Sequence, residues 1–94
     1  MSKSQLSAYV QTTAQMIFKY GETRSAELVE QIVSRIVRIP QVVMSGLQQL
    51  EVLRRLEIFS MLEKAALVPD YRYLARTLEE RILSLVGSKP ACAI

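Results

Sequence analysis

The chain has 94 residues, half of them apolar, with 12 Lys and Arg against 9 Asp and Glu, a net charge of +3 and a single cysteine. That size supports one small domain with a modest core, and the charge permits an anionic partner without demanding one. Histidine, asparagine and tryptophan are absent and there are only three glycines and three prolines. This excludes a zinc set, an imidazole–thiolate pair and a Gly-rich phosphate loop, and it leaves little turn chemistry for a sheet. The expected class is all-α, with no enzyme activity and no cofactor. One domain is expected over residues 1–88, followed by a disordered tail over 89–94 that contains Cys92.

A first helix is expected from Ser4 to Tyr20, with Leu6, Tyr9, Val10, Thr13, Met16, Ile17 and Tyr20 along one face. Gly21 would stop it at the C′ position. Nothing in the first residues has the apolar run of a signal peptide. The longest charge-free stretches, Ser4–Phe18 and Ile39–Leu50, are too short or too polar for a transmembrane segment. A cytoplasmic protein is therefore expected.

The second helical region opens near Thr23 or Ser25, either of which fits an N-cap, with Glu27 and Glu30 near the positive end of the helix dipole. Leu28, Ile32, Ile36, Ile39, Val43, Leu47 and Leu50 follow at spacings of 4, 4, 3, 4, 4 and 3, a rhythm that continues to Met61 with one break. Eleven residues in three turns is about 3.67 per turn, near the period of a straight helix. Pro40 interrupts this region, and two readings compete. The helix ends at Ile39 and restarts near Ser45, where Ser45-x-x-Gln48 resembles a capping box, or it continues through Pro40 with a kink. The unbroken apolar phase favours continuity. At 1.5 Å per residue a continuous helix would reach about 65 Å, against about 25 Å for each flanking helix. Two short helices cannot cover so long a stripe, so a homodimer built as a helical bundle on the middle helices is expected.

The last helix is punctuated by Pro69 and Asp70 at its start and by Gly87 and Pro90 at its end. Leu74, Leu78, Ile82 and Leu85 form its apolar face. Tyr71 and Tyr73 read as half-buried tyrosines at a helix start rather than as stacking groups.

Opposite the apolar stripe, Arg24, Gln31, Arg35, Arg38, Ser45 and Gln49 would lie within about 80° of one another on a continuous helix. No acid occurs between Glu30 and Glu51. Arginine, glutamine and serine at one- to two-turn intervals suit phosphates and 2′-hydroxyls, the groups through which double-stranded RNA is read. The competing reading of this face is a solvated helix surface.

Ser60-Met61-Leu62-Glu63-Lys64, followed by Thr77-Leu78-Glu79-Glu80-Arg81 in a short last helix, resembles the small RNA-silencing suppressors of insect nodaviruses. The order of elements is similar along most of the chain. The resemblance implies a viral, cytoplasmic homodimer whose long helices lie along duplex RNA and shield it from processing. The matched segments are not the RNA-contacting residues, so no site carries over through them. The alternative function is a helical adaptor, chaperone or regulator that binds another protein through apolar helix faces. A helix-turn-helix DNA binder ranks third: Leu67 to Leu78 fits a turn between helices, but the second helix carries Glu79 and Glu80 and no basic cluster.

Overall fold

The computed structural model describes residues 1–87, and among them there are helices and no strand. Helix α1 spans Lys3–Thr23. It opens on a capping box in which the Gln5 backbone N–H donates to Ser2 Oγ (3.2 Å) and the Ser2 N–H donates to Gln5 Oε1 (2.8 Å). It closes on Arg24, whose φ of 57° is left-handed and whose N–H donates to the Tyr20 carbonyl. Gly21 is therefore inside the helix and is not its stop. Its lack of a side chain serves a close approach: a Cβ there would lie 2.7–2.9 Å from backbone atoms of Ala65 and Ala66.

The middle of the chain is not one helix, kinked or straight. It divides into α2 (Ala26–Val37), α3 (Pro40–Val43), α4 (Gln49–Arg55), α5 (Ile58–Glu63) and a 3-10 turn (Ala65–Leu67). Pro40 explains the first break. The residue before a proline is driven out of the helical region, and Ile39 is extended, with φ −66° and ψ 119°. Pro40 then sits in the first turn of α3, where its missing N–H leaves no helical bond unmade. Gly46, with φ +76°, turns the chain between α3 and α4, and Glu57, with φ 56°, separates α4 from α5.

The apolar repeat breaks with the helix. Ile32, Ile36 and Ile39 are buried and Leu28 and Leu47 partly so, but Val43 and Leu50 are exposed. Val42, Val52 and Leu53 take the inward positions instead. A region this rich in aliphatic residues yields an apparent stripe in more than one register, and the chain uses short segments of it.

Helix α6 spans Tyr71–Gly87. Asp70 Oδ1 accepts from the Arg72 N–H at 3.1 Å, and Leu74, Leu78, Ile82 and Leu85 are all buried, as their spacing requires. The most extensive packing in the fold is α1 against α6, and α1 also meets α2, α5 and the 3-10 turn. The core between them contains Leu6, Val10, Ile17, Ile32, Ile36, Leu56, Ile58, Leu78 and Ile82. The radius of gyration is 13.0 Å and the longest extent 44 Å. A 65 Å helix has no place in that envelope. The chain's own elements close the core, so the length argument for a second copy no longer applies. No described helix is long and apolar enough to cross a membrane. Residues 88–94, which hold Pro90, Cys92 and the expected tail, lie outside the described residues.

Candidate nucleic-acid interface

The six side chains expected on one stripe belong to four different places. Arg24 is the C-cap of α1, exposed, with its guanidinium 5.4 Å from the centre of the Tyr20 ring. Gln31 and Arg35 stand on α2, and Arg38 is its C-cap. Ser45 lies in the turn after α3, where its hydroxyl donates to the Val42 carbonyl. Gln49 begins α4. Pro40 and Gly46 re-aim the chain between Arg38 and Gln49, so the single polar line is lost.

What remains together is the outer face of α2. Gln31, Arg35 and Arg38 fall within about 60° on the helical wheel. With Met16, Glu30 and Ser34 they line a shallow depression of about 420 Å³. Gln31 and Arg38 are exposed, and Arg38 has no ion pair among the described residues. Ser34 was not among the expected contacts. Its position three residues after Gln31 and four before Arg38 is the helical spacing that places it on this face.

Arg35 is engaged within the fold. Its Nε donates to Thr13 Oγ1 at 2.9 Å and its Nη2 to the Tyr9 carbonyl at 3.0 Å. The Tyr9 hydroxyl returns a bond to the Arg35 carbonyl at 2.8 Å, and the guanidinium lies over the Tyr9 ring, 3.9 Å from its centre. Thr13 is 1% exposed, and its hydroxyl donates to the same Tyr9 carbonyl at 2.9 Å. A guanidinium offers its donors in a fixed fork, and here the fork ties α2 to α1. Arg35 is a staple between helices, not a free cation on a polar face.

The two segments behind the family resemblance meet in space. Ser60, Met61 and Lys64 from α5 and its C-cap face Leu74, Thr77 and Arg81 of α6 across a cleft of about 370 Å³. Arg81 bonds the Leu56 carbonyl at 3.0 Å and pairs with Glu57 at 2.9 Å, so it holds the α4–α5 junction against α6. Tyr73 is exposed, contrary to the half-buried reading, whereas Tyr71 is half-buried. Among the described residues no group of three or more Cys, Asp or Glu side chains is placed to hold a metal ion. No family model, no curated protein and no solved structure matches the chain.

Proposed function

We propose that the protein binds double-stranded RNA without sequence preference, as a non-enzymatic homodimer that shields the duplex from processing and so suppresses RNA silencing. The observation that carries this reading is the α2 face, with exposed Gln31 and Arg38 beside Ser34 and with Arg24 at the preceding helix cap. Helix α2 is about 18 Å long, and the two arginines bracket it. Among the described residues neither forms a salt bridge. Arginine on phosphate supplies affinity, and glutamine and serine suit 2′-hydroxyls. The similarity of Ser60–Lys64 and Thr77–Arg81 to the nodaviral suppressors supports the same reading, and with it a site of action in the cytoplasm of a host cell.

A gel shift with random-sequence duplex RNA, duplex DNA and single-stranded RNA at two salt concentrations tests it. Duplex RNA is expected to bind best. Arg24→Ala with Arg38→Ala is expected to weaken binding with no change in helicity. Two lost phosphate contacts per protomer should flatten the log–log salt slope by about 1.8, or by about 3.6 where both protomers touch one duplex, on the calibration of about 0.9 per contact for duplex DNA. Unchanged affinity in that variant at physiological salt would leave the face as solvated surface and sink the proposal.

The second copy is assigned to the segment around α3 and the start of α4. Val43 and Leu50 are exposed there, no charged residue lies between Ile39 and Leu50, and two such surfaces meet without like-charge repulsion. Val43→Asp with Leu50→Asp is expected to convert a sedimenting dimer to a folded species at the 10.7 kDa chain mass. A parent that already sediments as a monomer refutes the assembly.

A further inference from the structure

A second surface of this molecule has a different chemistry from the α2 face. The cleft between α5 and α6 has an apolar floor of Met61 and Leu74, both buried, with half-buried Val68 beside them. At its rim stand Leu67, 81% exposed, and Tyr73, 58% exposed. Large apolar side chains grouped in this way beside a concavity mark an interaction surface. At about 370 Å³ the cleft is at the small end of binding pockets, with room for one or two side chains.

The charges around it choose the partner. Glu57 is already paired with Arg81 across the junction. Lys64, at the C-cap of α5, is exposed and has no carboxylate partner among the described residues. The rim therefore presents one unneutralised cation next to a greasy slot. Duplex RNA has no apolar group to fill the slot. A partner needs an aliphatic side chain for the floor and a carboxylate for Lys64.

We propose that this cleft docks a short acidic amphipathic helix of a partner protein. One aliphatic side chain enters between Met61 and Leu74, Leu67 and Tyr73 cover its flanks, and a carboxylate one turn away meets Lys64. Such helix-in-groove recognition uses anchors at i, i+3, i+4 and i+7.

The probe is a fluorescent synthetic helix with leucines at that spacing and glutamates flanking them, read by anisotropy. One control peptide carries lysine at each glutamate and another alanine at each leucine. The acidic peptide is expected to bind saturably and both controls about ten-fold more weakly or worse, a ratio equal to about 1.4 kcal/mol. Leu67→Ser, at an exposed position, should lower affinity for the acidic peptide. Lys64→Glu should reverse the preference toward the lysine peptide, which a merely sticky surface would not do. Arg24→Ala with Arg38→Ala should leave peptide affinity unchanged, so failure of the RNA proposal does not imitate failure here. The docking proposal is overturned by equal binding of acidic and basic peptides, by no saturable binding, by indifference to Leu67→Ser, or by displacement of the peptide by duplex RNA.

Discussion

Gly21→Ala is expected to destabilise the protein by about 2 kcal/mol, although alanine is the better helix former by about 1 kcal/mol. Gly21 lies inside α1, where propensity alone favours the substitution. The added methyl would meet the Ala65 carbonyl carbon at 2.7 Å, the Ala66 nitrogen at 2.8 Å and the Ala65 oxygen at 2.9 Å. All three are backbone atoms of the 3-10 turn, so no flexible side chain can swing away. Either the turn lifts off α1, exposing Ala65, which is now 1% exposed, or α1 bends. Thermal unfolding should show a midpoint lower by about 10 °C for a chain of this length. Gly87→Ala is the control. A Cβ there meets nothing within 4 Å, so the same change at the end of α6 should be neutral or slightly stabilising. If Gly21→Ala raises the midpoint as Gly87→Ala does, the close approach of α1 to the 3-10 turn is wrong.

Arg35→Ala is expected to cost about 2–3 kcal/mol, because hydrogen bonds from a charged donor contribute more than neutral ones. The substitution removes the Nε bond to Thr13, the Nη2 bond to the Tyr9 carbonyl and the contact with the Tyr9 ring together. Urea titration followed by circular dichroism reads this as a shifted midpoint with an unchanged slope. Arg35→Lys should recover little, since an ammonium cannot span Thr13 Oγ1 and the Tyr9 carbonyl as a planar fork does. Tyr9→Phe removes only the bond from the Tyr9 hydroxyl to the Arg35 carbonyl and should cost about 1 kcal/mol. The double variant should lose about the sum, because Phe keeps the ring and Ala keeps the carbonyl, so neither change removes the other's contact. Full stability in Arg35→Ala would return this residue to the solvent-facing role that its place in the sequence suggests. Any measurement of RNA affinity on an Arg35 variant needs this result first, since loss of binding there would report loss of the α1–α2 junction.

The reading of the α2 face and the reading of the α5–α6 cleft have separate consequences. The first depends on cations and weakens steeply with salt. The second depends on an apolar floor with one cation at its edge, and salt should change it far less. A protein with both surfaces would hold a duplex at α2 and a partner protein at the α5–α6 cleft.

Local signals along the chain are enough for the helical class and the two ends of the fold. Helix α6 was legible because every signal for it is local: Pro69 and Asp70 before it, and Leu74, Leu78, Ile82 and Leu85 at one helical spacing. Helix α1 was legible in its face, and missed by three residues at its end because Gly21 carries two meanings. A glycine stops a helix by adopting positive φ, or it lets another backbone come close, and only the position of Ala65 and Ala66 decides between them. The middle region departs from its expected form for a related reason. Apolar periodicity states that a side chain is to be buried, not what will bury it, and α1 and α6 cover short segments of it well enough that no long helix forms. Pro40 and Gly46 mark the breaks, although the apolar phase runs across both. Of the six site residues, Gln31 and Arg38 kept a common face because they lie on one unbroken helix. Arg35 changed role because Thr13 and Tyr9, 22 and 26 residues away, supply acceptors that an inspection of α2 alone cannot see. Cap and period act within a few residues and can be read along the chain. The partner of a buried or bridging group is set by contacts between distant segments, and tertiary structure alone decides it.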